Sequence, residues 1–401
     1  MNRKKPGAAE KRKGRSFPSA RNASPPAPSL SPQSVLTTEA IVRMPAEWEP
    51  HQATWLSWPH ELTDWPGKFS PIPWTFAEIV RHLARVERVF LLVENRAAEA
   101  RVREILRKSG ADIGAVDFFR VPTDRSWLRD SGPIGVVAAG PHPGMPSRGD
   151  PEIPARGEAS LALLNFAFNG WAKYGDHQKD ARIVARASRR LGRRVIRPEH
   201  KGCRVVLEGG SIDVNGLGTL LTTEECLLGT IQERNPGFTK GTYAEIFRRY
   251  MGITNVIWLK RGIAGDDTHG HVDDLARFVG PSTVVTALED NPADVNYEPL
   301  VENLALLKAA KDQDGCPLRV ETLPMPAPII FDGQRLPASY ANFYVANKIV
   351  LVPLFNDPAD RIALDKLAAL FPDREIVPIY SRDLALGLGT IHCMTQQLPL
   401  G

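Results

Sequence analysis

The chain has 401 residues, of which 43% are hydrophobic and 24% charged, with a formal net charge of +4. That composition supports one large core or two ordinary ones. No apolar run approaches the roughly 20 residues of a membrane span, and no apolar stretch follows the basic N-terminus as a secretory leader requires, so a soluble protein is expected.

Residues 1–40 are rich in Ser, Pro, Lys and Arg, with eight basic residues against Glu10 and Glu39. The tail therefore carries +6, and the remaining chain, given +4 overall, carries −2. So little apolar surface cannot fold, and a disordered basic arm is expected. Contacts with nucleic acid or a membrane surface, and a transit peptide, are the alternative readings of the arm. Residues 41–401 are expected to form a single domain, with a flexible Pro/Gly-rich insertion near 140–158. The four cysteines, Cys203, Cys226, Cys316 and Cys393, contain no CxxC pair. Neither a disulfide framework nor a Cys-rich zinc site is indicated, and a reducing, cytoplasmic compartment is expected.

The domain opens at Arg43 with MPAEWEPHQATWLSWPHE, where Trp48, Trp55, Trp58 and the nearby Trp65 read as core by default. Helical spacing over 75–87, an apolar run at 89–93 and helical spacing over 96–108 give α/β texture. Four later segments repeat one plan: a strand with polar residues, a turn, a second strand, then a helix. They begin near Trp127, Val205, His271 and Tyr340, with helices expected over 178–191, 243–251, 298–311 and 360–370. With the opening segment as a fifth copy, about five modules of strand, strand, helix and strand are predicted. No such module buries both its sheet and its helix alone, so the modules should pack around a common axis, as a fivefold pseudosymmetric α/β propeller does.

In such a ring the first strand of each module faces one axial cavity. Those strands carry Trp127 and Asp130 in WLRDSGP, Glu208 in LEGGS, and His269, His271 and Asp273 in DDTHGHVDD. Residues 387–399 read GLGTIHCMTQQLP, which places Cys393 eight residues from the end of the sequence, among Ile391, Met394 and Leu398, as in a docked end. Gly387 and Gly389 let the backbone approach a ligand closely. Taken singly, each polar residue is explained by a turn or an ion pair, such as Asp130 with Arg129. Jointly, carboxylates, an imidazole and a thiol converging on one cavity repel unless a cation binds between them, which points to a cationic substrate.

The motifs MPAEWEPH, WLRDSGP, LEGGS, GHVDDLARF and IHCMTQQLP occur in the order found in the agmatine deiminase and Porphyromonas-type peptidylarginine deiminase family, of the guanidino-group-modifying (pentein) superfamily, which the chain resembles over residues 43–400. The resemblance implies a fivefold α/β propeller with Cys393 as nucleophile and His271 as general acid/base. It also implies that Glu208 orients the histidine, that Asp130 and Asp273 bind guanidinium, and that Trp127 lines the substrate slot. It implies hydrolysis of a small guanidino substrate, agmatine first, to an ureido product and ammonia through a thiouronium intermediate, a step in putrescine and polyamine biosynthesis. That chemistry suits the residue types: carboxylates accept paired N–H bonds from a planar cation, and a thiolate attacks its central carbon. It calls for no metal or cofactor. Leu388 and Thr390 stand where the family commonly has glycine and asparagine.

Peptidyl-arginine or free arginine is the alternative substrate. A metal-dependent hydrolase using His269, His271 and Asp273, which alternate on one face of an extended segment, is a rival from another class. A non-catalytic binder of cations is the third reading, although simple binding needs no thiol. No membrane partner is expected and no nucleic-acid partner beyond weak contacts of the tail, and the sequence allows a homo-oligomer.

Overall fold

A computed structural model describes residues 42–138 and 161–401. The disordered arm expected over 1–40 and the insertion expected near 140–158 therefore lie outside the described residues.

Five mixed sheets of three or four strands carry the fold among the described residues. The plan is shared: an antiparallel pair, a helix, then a strand parallel to the second. In the first sheet Ile134–Ala138 pairs with Leu161–Leu164, helix Ile183–Leu191 follows, and Arg194–Ile196 adds in parallel. The second runs Asp213–Val214, Thr219–Thr223, helix Lys240–Met251 and Asn255–Leu259. The third runs Ala276–Gly280, Thr283–Leu288, helix Tyr297–Ala309 and Arg319–Pro324. The fourth runs Tyr344–Ala346, Ile349–Leu354, helix Ala359–Leu370 and Glu375–Tyr380. The fifth joins the two ends of the domain. Its antiparallel pair is Thr395–Pro399 with His51–Ser57, followed by helix Ile72–Leu83 and the parallel strand Arg88–Val93.

The C-terminus is thus docked, as its apolar residues suggested. Local chemistry explains the elements: Asn95 and Thr239 cap their helices by accepting from the backbone N–H three residues on, and Gly252 ends its helix in the left-handed conformation. In Arg88–Val93, Leu91 and Leu92 point to opposite faces and both are fully buried, as a parallel strand covered on both sides requires. Each such side chain stabilises the fold by about 1.5–3 kcal/mol. Trp55 and Trp65 are fully buried, with Trp55 edge-on to Phe90 at 4.8 Å.

One expectation shifts by a few residues. The polar residues do not sit on the first strand of each sheet but on the turn that leads into it. Short helical turns at Leu128–Ser131, Gly209–Ser211, Val272–Asp274 and Ile391–Met394 precede four first strands, and a non-helical turn with Asn342 precedes the fifth. Strand side chains such as Val136, Ala276 and Val345 are spent on the core. Only beyond the strand end can a side chain leave the sheet faces.

Candidate functional site

Five turns, one from each sheet, bring together Asp130, Glu208, His271 with Asp273, Asn342 and Cys393. A cavity of about 430 Å³ opens above them, lined at its floor by Trp127, Asp130, Trp171, Gly387, Leu388 and Cys393. His271, Asp273 and Glu208 form the layer beneath and are at most 1% exposed.

Gly210 records how closely that layer is packed. A Cβ there would lie 2.5 Å from His271 Nδ1, 2.9 Å from Asp130 Oδ1 and 3.1 Å from Asp273 Oδ2. Gly210, the second glycine of LEGGS, leaves room for three polar side chains that meet over its Cα. Gly387 and Gly389 act in the same way, and what approaches them is protein: a Cβ on either would stand 2.9 Å from the Trp127 ring. Trp127 in turn packs on Trp65 at 5.6 Å.

Asp130 accepts from the Trp171 indole N–H (2.8 Å) and the Gly210 N–H (3.0 Å), which leaves lone pairs on both oxygens. Burial, then the charges of Asp273 and Glu208, push its pKa up to about 6 against the pull of His271. Arg129 does not neutralise it. Successive residues on a helical turn diverge by about 100°, and Arg129 reaches Glu47 (3.0 Å) and Gln397 (2.7 Å) instead. Asp273 Oδ2 accepts from His392 Nδ1 (2.7 Å), whose Nε2 faces Glu47 Oε2 at 2.9 Å, while Asp273 Oδ1 is buried with no partner. Burial opposes the charge on Asp273, but His392 holds its pKa below the usual value.

His271 has two distinct sides. Nδ1 faces Asp130 (3.8 Å) and Asp273 (4.0 Å), and Nε2 faces Glu208 Oε2 (3.9 Å). Burial disfavours an imidazolium here, yet Asp130, Cys226 and Glu208 raise its pKa well above the ordinary histidine value. Glu208 stays ionised despite burial because Arg234 Nε sits 3.1 Å from Oε1, which with His271 brings its pKa down to about 2. Cys393 Sγ accepts from Asn342 Nδ2 at 3.2 Å and lies 3.7 Å from Asp273 Oδ2. Burial, then Asp273, Asp274 and Asp130, push the thiol well above its usual pKa.

The structure thus unites the six residues singled out in the sequence: Trp127, Asp130, Glu208, His271, Asp273 and Cys393. His269 is not among them. Of the donor groups close enough to share a metal among the described residues, one is Glu208, Cys226 and His271 and the other Asp273, Asp274 and Cys393. His269, with φ of 66°, belongs to neither, because the chain there is a left-handed turn and not the extended segment that would align it with His271 and Asp273.

Sequence reasoning passed over Asn342, which also donates to Asp274 (3.0 Å) and accepts from Thr390 Oγ1 (2.7 Å). It passed over His392 and Glu47 as well. The signal for Asn342 was its place in YANFYVANK, two residues before a first strand, as Cys393 is. Asp266 holds the loop before His271 by accepting from the Gly270 and His271 N–H groups. Asp267 does reach the cavity wall, paired with Lys173 and Tyr174.

A buried thiol among carboxylates and an imidazole, mounted on the turns of a mixed α/β fold, defines an enzyme class that acts on a cationic group. The family model of Porphyromonas-type peptidyl-arginine deiminases matches residues 43–399. A Latilactobacillus sakei protein named as a candidate agmatine deiminase is 36% identical over 382 residues, covering 90% of this chain and 96% of its own. Among solved structures, the agmatine deiminase of Enterococcus faecalis superposes with a TM-score of 0.79 at 27% identity, over 90% of this chain and 96% of that one. A cysteine-to-serine variant of C. jejuni agmatine deiminase with substrate bound gives 0.76 at 26% identity, over 91% and 98%. The chain belongs to the Porphyromonas-type peptidyl-arginine deiminase family, agmatine deiminase-like hydrolases of guanidino C–N bonds.

Proposed function

We propose that the protein hydrolyses agmatine to N-carbamoylputrescine and ammonia through a covalent intermediate on Cys393. The observation that carries this reading is the convergence of Cys393, Asp130, His271 and Asp273 at the base of one cavity. The five sheets of one topology support a fivefold pseudosymmetric propeller with that cavity on its axis, and the four free cysteines fit a reducing cytoplasm. The arm over 1–40 and the single domain over 41–401 remain part of the proposal.

In this mechanism Asp130 and Asp273 accept the guanidinium N–H groups and fix the central carbon for attack, while Trp127 walls the slot. The substrate's positive charge lowers the thiol pKa that burial and three carboxylates have raised, so the thiolate forms where substrate is bound. The thiolate adds to the guanidinium carbon, and His271 as imidazolium protonates the departing nitrogen, releasing ammonia. Neutral His271 then takes a proton from water as it attacks the thiouronium carbon. The ureido product leaves and the thiolate returns. Glu208 fixes the imidazole from its Nε2 side.

The rest of the cavity supports agmatine over arginine. Asp64, Asp267 and Asp332 line it, and Asp64 Oδ2 is buried with no partner, suited to the substrate's amine. Arg125 is the one cation among the described lining residues, and it is already matched by Asp64 and Asp176. Ammonia and ureido product should be measured from agmatine, arginine and an arginine peptide under identical conditions. Agmatine should have the highest kcat/KM, and each ion pair that a rival fails to make should cost it about 1–3 kcal/mol, tenfold to a hundredfold. Prolonged dialysis against a strong chelator should leave turnover intact while a thiol alkylator abolishes it. A peptide preference would move the chain to the other branch of the family, and loss of activity to the chelator would favour a metal-dependent reaction.

A further inference from the structure

Beside His271, outside the lining of the cavity, a second thiol is buried. Cys226, 1% exposed, offers its sulfur within 4.8 Å of both a His271 ring nitrogen and a Glu208 carboxylate oxygen. The two groups it approaches are not satisfied by each other. His271 Nε2 and Glu208 Oε2 are 3.9 Å apart, too far for a hydrogen bond, and both are fully buried with no partner. Unpartnered polar atoms at such depth are costly. One imidazole nitrogen, one carboxylate oxygen and one thiol facing a common point form a donor set for a borderline-soft cation.

We propose that Glu208, Cys226 and His271 form an inhibitory site for Zn(II) or a similar thiophilic divalent ion. Donors bound to tetrahedral zinc lie about 3.4 Å apart, so the 3.9 Å between Nε2 and Oε2 closes with a small shift. The alternative set of Asp273, Asp274 and Cys393 has no nitrogen donor, and His392 and Asn342 already hold its carboxylates. Binding balances as follows: Zn²⁺ replaces the Cys226 thiol proton and the imidazolium proton of His271, two protons are released, and Glu208 stays anionic. Affinity therefore rises with pH. The metal takes the Nε2 position in place of its proton, so His271 keeps only its Nδ1–H and loses the imidazolium charge, which makes it a far weaker acid toward the leaving nitrogen. This inhibitory effect rests on the role of His271 proposed above; the binding itself does not. Because none of the three donors lines the cavity, inhibition develops slowly.

The test uses full-length protein stripped with a chelator, in a Cys203→Ser, Cys316→Ser background that removes the two exposed thiols. Co(II) and then Zn(II) are titrated into this protein and into its Cys226→Ala, Cys226→Ser and Cys393→Ala derivatives, with circular dichroism confirming the fold. The expected result is one equivalent of Co(II) with a sulfur-to-cobalt charge-transfer band in the parent and in Cys393→Ala. Both Cys226 variants should lose the band, with at least tenfold weaker Zn(II) binding. A band that survives in Cys226→Ser, or that disappears in Cys393→Ala, would overturn the assignment. If Cys226→Ala does not fold, Cys226→Ser, close in volume, decides the matter alone. Metal binding through Cys226 in a protein that, metal-free, turns over no guanidine would leave the site standing and sink the deiminase mechanism instead.

Discussion

The floor and the rim of the cavity are both charged, and they handle charge in opposite ways. At the floor and in the layer just beneath it, Glu208, His271 and Asp273 are at most 1% exposed and each keeps a buried polar atom without a partner. On the rim, Asp64, Arg125 and Asp176 form one chain of ion pairs, while Tyr174 and Lys173 hold Asp267. Arg125 also lies over the Tyr174 ring at 4.7 Å. Leaving buried acceptors open costs stability, on the order of 1–3 kcal/mol each, and such costs concentrate where a ligand completes the set. The floor leaves polar atoms of the reacting residues open, while the rim is paired except at Asp64 Oδ2 and Arg125 Nε. Substitutions on the floor should therefore act on chemistry, and those on the rim on binding.

The largest effect is expected at the floor's one nucleophile. Cys393→Ala should cut agmatine turnover by about 10⁴-fold or more with an unchanged circular dichroism spectrum, because no other thiol lines the cavity. Residual turnover within a hundredfold of wild type would remove Cys393 from the mechanism. Next comes Gly210→Ala, a change of one methyl group that does not touch the substrate. Its Cβ would sit 2.5 Å from His271 Nδ1, and pushing His271 away from Asp130 should cost about 10²-fold in kcat and about 1–3 kcal/mol in urea-measured stability. A fully active Gly210→Ala would show that the floor tolerates looseness and would erase its contrast with the rim.

Titration sharpens the same contrast. Asp130 must be ionised to accept a guanidinium, and its pKa in the free protein stands near 6. As pH falls through about 6, kcat/KM should drop tenfold per unit, whereas an ordinary aspartate would hold until about 4. The Cys393 thiol, raised by burial and carboxylates, should resist alkylation at neutral pH and react faster with a guanidinium analogue bound beside it in a pose that leaves sulfur accessible. An alkylation pKa that is the same with and without the analogue would rule out substrate-assisted ionisation. At the rim, Arg125→Ala should change agmatine KM more than kcat, since it breaks an exposed pair with Asp176 and leaves the buried Asp64 carboxylate without its cation.

The same contrast explains what could be read from sequence. Asp130, Glu208, His271, Asp273 and Cys393 stand in short motifs at the strand entrances, and the family's order of motifs makes them visible. What positions them is non-local. His392 meets Glu47 across 345 residues, Arg129 reaches Gln397 across 268, and Asp64 finds Arg125 across 61. No window of sequence shows that Glu47 is shared by His392, Arg129 and Arg277. The modular plan was legible because apolar runs and turn residues recur locally. That the turns rather than the strands would carry the chemistry was not, since period-2 patterns end where those turns begin. Cys226 looked like any other cysteine until folding set it beside His271, apart from the exposed Cys203 and Cys316.

The smallest effect is expected at Leu388, where floor and rim meet. It lies on the cavity wall with φ of 67°, a left-handed conformation that costs a branched side chain about 1–2 kcal/mol. Leu388→Gly relieves that strain. It also adds about 0.5–1 kcal/mol of unfolded-chain entropy and gives up about 1 kcal/mol of burial from a half-buried side chain. The terms nearly cancel, so the urea midpoint should move by the equivalent of less than about 1 kcal/mol. If Leu388 is kept for what it does to the cavity, the effect appears in selectivity. Removing four carbons from the wall widens the slot for a substrate bulkier at its amine end, so arginine should gain on agmatine by a few-fold in kcat/KM. A stability loss of several kcal/mol with unaltered selectivity would show instead that Leu388 serves the core and that the cavity wall is set elsewhere.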